Sequence, residues 1–154
     1  MENSLFLEFA INNVWVIISA ALVFIMHAGF ACVEAGFTQS KNTANIIMKN
    51  FMTIAIGSIC YYLIGFALMY GTSIAGLFGW MTPATIPANA PDALLDSHVN
   101  WFFNAVFAAT CATIVSGAVA ERTKFGVYLL FCLVMCSVIY PVTGHWIWGG
   151  GWLS

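Results

Sequence analysis

Charge is what this sequence has least of. Only 6% of its 154 residues are Asp, Glu, Lys or Arg, where a globular domain carries roughly 25%. So few charges leave 62% hydrophobic residues uncovered, so a water-soluble domain is excluded and a membrane-embedded one is implied. Four basic residues against six acidic ones leave no positive footprint for a phosphate backbone, and nucleic acid is not an expected partner. Basic residues are also missing where a signal peptide needs them: Met1 to Phe9 carries Glu2 and Glu8 but no Lys or Arg. The first apolar run is therefore expected to be a retained helix. There is no C-x-x-C pair among Cys32, Cys60, Cys111, Cys132 and Cys136, and all five lie in apolar runs. Cys132 and Cys136 share a helix face, but small buried hydrophobes is the preferred reading, and no metal site is assigned. Proline is confined to Pro83, Pro87 and Pro91 in one stretch, and Pro141.

What is present is a set of long apolar runs. Each is long enough to cross a bilayer as a helix, which takes about 20 residues. The expected fold is all-α: a polytopic transmembrane bundle of about four spanning helices over 9–37, 44–70, 100–121 and 125–143. The polar turn Thr38 to Asn42 separates the first two. Gly71, Gly76 and Gly79, followed by the three prolines, break the chain into an outer loop over 71–98. Asp96 and Ser97 can cap the third helix. The link Arg122-Thr123-Lys124 is short, so the last two helices form a hairpin.

The basic residues orient the bundle. Lys41 and Lys49 lie at one link, Arg122 and Lys124 at another, and alternating spans put all four on one side. By the positive-inside rule that side is cytoplasmic, so both chain ends lie outside. Trp15, Trp80, Trp101, Trp146, Trp148 and Trp152 all map to the outer end. A membrane belt places aromatics at both interfaces, so the one-sided excess points to an aromatic-lined outer mouth.

The stretch from Trp101 to Phe125 joins these patterns. Ala105, Ala109, Thr113 and Gly117 form a small-residue stripe where another helix can approach closely. Phe103 and Phe107 lie on another side, four residues apart. An aromatic mouth with little charge suits a small cation, because ring faces attract cations and tryptophan does so best. Such a site holds its ligand loosely, as conduction requires. For any one of Phe103, Phe107 or Trp148, however, packing is the commoner role, and both readings stand at this point. Glu34, and Glu121 with Arg122, read as interfacial charges, with a buried acid as the alternative for Glu34. Lys49 is expected to reach back to the cytoplasmic interface. His27 within the first helix and His145 just after the fourth read as hydrogen-bonded bundle residues, and His98 as a loop residue. Gly29 and Gly36 suggest close packing on the first helix.

Three segments carry a resemblance. His27-Ala28-Gly29-Phe30-Ala31 through Glu34-Ala35-Gly36-Phe37-Thr38-Gln39-Ser40-Lys41-Asn42 resembles the first-helix end of ammonium transporters of the Amt/Rh family. Phe103 to Phe107, with Gly117 to Arg122 after it, is similar to their third helix. His145-Trp146-Ile147-Trp148-Gly149-Gly150-Gly151 is similar to their glycine-rich segment after the fourth. The resemblance implies the N-terminal part, residues 1–154, of an eleven-helix transporter domain built from inverted repeats. It implies Phe107 and Trp148 in an outer ammonium site, Phe107 also in a gate of stacked rings, and Phe103 in the same vestibule. Ammonium would lose its proton near the gate, and ammonia would cross a hydrophobic pore. It implies a homotrimer when the subunit is complete, no cofactor, no catalytic residue, and localisation as a multi-pass protein of the cell membrane.

The sequence departs from the family pattern. The family's fifth-helix aspartate, paired pore histidines, second gate phenylalanine and outer-site serine fall beyond Ser154. None of the three histidines here matches the pore pair. The C-terminal tail that meets PII-type regulators is absent, so no PII-type contact is expected. The expectation is a first portion of a subunit that does not conduct by itself. The alternatives are a membrane sensor of the same fold, a haem-bearing redox subunit using His27 and His145, and a non-functional truncated product.

Overall fold

The computed structural model describes residues 2–80, 95–120 and 122–154. Met81, Pro83, Pro87, Pro91, Asp92 and Glu121, which entered the sequence reading, lie outside the described residues. Four helices carry the fold: α1 (Glu2–Phe37), α2 (Ser40–Tyr70), α3 (Ser97–Ala118) and α4 (Phe125–Trp148). All four are long and apolar enough to cross a membrane. α1 and α4 both extend past their expected limits of 9 and 143, and α3 begins at Ser97 rather than 100. The start of α3 follows from its cap. The Asp96 carboxylate accepts the backbone N–H groups of His98 at 2.8 Å and Val99 at 3.3 Å, which satisfies two of the donors a helix start leaves open. α3 ends at Ala118, before the expected 121.

The length of α4 has a local cause. Proline at 141 has no N–H, and its ring clashes with the carbonyl four residues back in an ordinary helix. Here a wide π turn covers Met135–Ile139, and the Tyr140 N–H bonds the Met135 carbonyl five residues back. The turn makes room for the ring, so the helix passes Pro141 and continues to Trp148. α2 has a matching wide turn at Tyr61–Gly65. The two turns pack together, and a Cβ on Gly65 would lie 2.8 Å from the Cys136 carbonyl and 3.0 Å from the Pro141 ring. Glycine is required there.

α3 is the centre. It packs on α1 and α2, and α2 packs on α4. Half of the apolar window of α3, 50%, is buried, against 11% for α1. Ala105, Ala109 and Thr113 of the small-residue stripe are buried, and Ala108 and Ala112 join them. Where α2 meets α3, a Cβ on Gly57 would lie 3.3 Å from Ala109 Cβ and 3.2 Å from Cys136 Sγ of α4. Without a hydrophobic force between helices inside lipid, such close packing is what holds them. Gly117, Gly29 and Gly36 do not take the expected packing role: a Cβ on any of them meets nothing within 4 Å. They lie on open helix surface. Cys132 and Cys136 are buried, while Cys32 is exposed on α1, contrary to its reading as a buried residue.

The outer segment after α2 is not all loop. Strands β1 (Thr72–Ile74) and β2 (Phe78–Trp80) form an antiparallel hairpin with Ser73 opposite Gly79. Ala75 and Gly76 both take positive φ at the turn, as a tight hairpin turn demands. Trp146 Nε1 donates to the Leu77 carbonyl at 2.7 Å, and the Trp152 N–H donates to the Gly76 carbonyl at 3.2 Å. The hairpin is thereby tied to the end of α4 and the segment that follows it.

Candidate functional site

Phe103, Phe107 and Trp148 line one cavity of about 410 Å³. α3 supplies the two phenylalanines, with ring centroids 4.9 Å apart and planes tilted by 59°. Trp148 is the last residue of α4 and is 73% exposed, so its ring forms an outer rim. Val16 of α1, Tyr70 at the end of α2 and Tyr140 of α4 complete the walls, with Leu95, Asn100 and Asn104. All four helices contribute, and none of these nine residues is charged.

Asn100, Asn104, Tyr70 and Tyr140 are lining residues that sequence reasoning missed. A signal was present for the asparagines. Asn100, Phe103, Asn104 and Phe107 follow the spacing i, i+3, i+4, i+7, which is one face of a helix. Tyr70 and Tyr140 carried no such signal, because they reach the cavity from other helices. Asn104 is only 7% exposed. Its Nδ2 lies 2.9 Å from the Asn100 carbonyl, 2.9 Å from Asn100 Oδ1 and 3.2 Å from the Tyr70 hydroxyl.

The other end of the bundle holds a second polar group, unlike the first in every respect. Glu34 of α1 and Lys49 of α2 pair at 2.8 Å and are more than nine-tenths buried. Ser116 of α3 donates its hydroxyl to both carboxylate oxygens, at 2.8 and 3.1 Å. Asn50 donates to Oε2 at 2.7 Å, and Lys49 also donates to the Ser116 carbonyl at 3.3 Å. The ammonium group of Lys49 sits 4.9 Å from the centre of the Tyr128 ring on α4. The Tyr128 hydroxyl in turn meets Thr53 at 2.8 Å.

This corrects two expectations. Glu34 is a buried acid, not an interfacial charge beside Lys41, and Lys49 turns inward instead of reaching the interface. The physical reason is the antiparallel hairpin of α1 and α2. It sets Glu34, one turn before the end of α1, beside Lys49, in the third turn of α2, where each charge is neutralised by the other. Lys41, Arg122 and Lys124 remain exposed at the two links.

The histidines are separately placed. His27 is buried, with Nδ1 3.2 Å from the Val23 carbonyl and Nε2 3.3 Å from the Thr110 hydroxyl. His145 lies inside α4, not after it, and is fully buried. Its Nδ1 is 2.7 Å from the Met69 carbonyl, which can only accept, so Nδ1 carries the proton and Nε2 accepts from Ser73 at 3.1 Å. His145 fastens the hairpin to α2 and α4. His98 lies in the first turn of α3, exposed, not on a loop.

Four apolar spans around a buried ion pair, with an uncharged aromatic cavity at one end, define an integral multi-pass membrane protein. Comparison with known proteins narrows the class. Residues 14–154 match the model of the Ammonium Transporter Family, and the chain belongs to that family. It is 50% identical to ammonium transporter Amt2 of Archaeoglobus fulgidus over 96% of this chain and 31% of the relative. It is 46% identical to a putative ammonium transporter of Synechocystis sp. over 95% of this chain and 34% of the relative. A solved structure described as a sensor Amt protein superposes with a TM-score of 0.89 at 38% identity, covering 99% of this chain and 38% of that one. The chain spans about a third of the length of the relatives it matches.

Proposed function

We propose that this chain serves transmembrane transport of ammonium or ammonia, and that Phe103, Phe107 and Trp148 form an outer site that recruits ammonium by cation–π contacts. The observation that carries the proposal is the convergence of the three rings, from two helices, on one uncharged cavity. A ring face attracts a desolvated cation by about 2 kcal/mol, and none of the described lining residues is an acid that would hold it there. The ligand is concentrated at the mouth and released onward. The family supports ammonium as the cation. Past Phe107 the path is apolar, so ammonium gives its proton to water in the cavity, forming hydronium, and ammonia is the species that continues.

The four helices form one wall of that path. α1 exposes most of its apolar surface, which is the face the remainder of a subunit would cover. By themselves these residues do not conduct, and a complete subunit works as a homotrimer. The test of the site is uptake of ammonium or methylammonium by the complete protein with Phe107→Ala or Trp148→Leu. Uptake is expected to fall about five- to thirtyfold at subsaturating substrate, since each ring contributes about 1–2 kcal/mol. Unchanged uptake in either variant would show the site assignment to be wrong.

A sensor is the second reading, favoured by the close match to a sensor Amt protein. The same cavity would then bind ammonium without net flux. Binding to the complete protein with neither an ammonium-driven current nor a change of internal pH beyond that of empty vesicles would select it.

A further inference from the structure

Cation–π attraction does not distinguish ammonium from any other monovalent cation of similar size. Discrimination needs an acceptor for an N–H bond, fixed in direction and close to the rings. We infer that Asn104 supplies it, through its side-chain carbonyl oxygen, and is a specificity-determining residue of the aromatic cavity. The inference rests on the reading of that cavity as an ammonium site.

The geometry argues from the nitrogen to the oxygen. Asn104 Nδ2 is 2.9 Å from the main-chain carbonyl of Asn100. A carbonyl only accepts, so the amide cannot be turned the other way. Asn100 Oδ1 at 2.9 Å and the Tyr70 hydroxyl at 3.2 Å hold the same nitrogen from further sides. The two N–H bonds of Nδ2 are shared among these three acceptors, which fixes the plane of the amide. Oδ1 is left accepting no hydrogen bond from any described residue, yet it is not sealed away from contact. The side chain is more than nine-tenths buried and lines the cavity, so the cavity is where that oxygen finds a partner.

An unpartnered amide oxygen in this setting is costly unless a donor arrives. Ammonium brings four N–H donors and a charge. Oδ1 would accept one N–H while Phe103 and Phe107, one residue before and three after on the same face of α3, meet the others with ring faces. Water can donate as well, but gains little from the rings. A methylated cation gains from the rings but loses donors. The combination selects a cation that is small and protonated at nitrogen.

The test uses the intact native protein in proteoliposomes, with ammonium-driven change of internal pH above that of empty vesicles as the readout. Tetramethylammonium, a cation with no N–H bond, serves as a competitor for the rings. In Asn104→Leu, half-saturating ammonium should rise about tenfold or more, the loss expected for one hydrogen bond to a charged group. Inhibition by tetramethylammonium should be unchanged. Asn104→Gln, which keeps an amide oxygen, should recover much of the ammonium affinity. Asn104→Ala removes the same oxygen without added bulk and serves if the leucine variant fails to assemble. A parallel loss for both cations would mean that Asn104 only props the rings, and would overturn the inference. So would an unchanged ammonium response. If Phe107→Ala impairs the flux while Asn104→Leu does not, the inference alone falls. If Phe107→Ala is also without effect, the aromatic-site reading falls with it.

Discussion

The buried Glu34–Lys49 pair makes a sharp energetic prediction. Lys49→Met keeps most of the stem against Tyr128 and removes only the charge. The Glu34 carboxylate then keeps Ser116 and Asn50 as donors but loses its 2.8 Å partner in a site almost closed to solvent. Removing one member of a buried pair costs about 3–5 kcal/mol, mostly because the other charge is stranded. Glu34→Gln strands the lysine in the same way, with the Ser116 carbonyl and the Tyr128 ring as its remaining contacts. Removing both charges leaves nothing stranded, and a neutral replacement is often close to neutral in stability. The double variant is therefore expected to be more stable than either single one, with a coupling of about 3 kcal/mol. Denaturant unfolding of the complete protein in detergent micelles, run as a double-mutant cycle, measures it. If the single losses stay below about 1 kcal/mol, or simply add in the double variant, the pair is not a buried clamp and the reasoning fails.

Two further outcomes follow from the packing and from the open face. Gly57→Leu puts a side chain where even a Cβ lies 3.2 Å from Cys136 Sγ and 3.3 Å from Ala109 Cβ. It should destabilise the bundle by about 1–3 kcal/mol or more, read in the same unfolding assay. Gly117→Leu, with open space around its Cβ, should be tolerated, and equal losses at the two sites would contradict the packing described. The chain alone, reconstituted into liposomes, should move ammonium no faster than empty vesicles do, and a rate well above them would refute the proposal that it forms one wall only.

The two asparagines on the cavity-lining face of α3 show how far pattern reading reaches. Asn100 and Asn104 repeat with Phe103 and Phe107 at helical spacing, so their common face was open to inspection. Tyr140 was hidden because it reaches the cavity from another helix. That helix was expected to stop at 143, and the wide turn before Pro141 carries it on to Trp148, which borders the same cavity. The hairpin in 72–80 was hidden too, because its strands are three residues long and their stability comes from His145, Trp146 and Trp152, which are remote in the chain. The tight fit of Gly71 against Trp80 likewise exists only once the strands pair.

The sequence by itself determined the membrane class and the number of spans, and it singled out Phe103, Phe107 and Trp148. Those follow from the scarcity of charge, the length of the apolar runs and the positions of the aromatics, all of which are local in the chain. Tertiary structure decided what the polar residues do. Glu34 and Lys49 look like interfacial charges one at a time, and become a buried pair because α1 and α2 lie antiparallel with Ser116 of α3 between them. Desolvation turns on distance in space, which sequence spacing does not carry across helices. The same holds for Asn104: its residue type was legible, but the freedom of its oxygen depends on where Tyr70 and Asn100 hold its nitrogen.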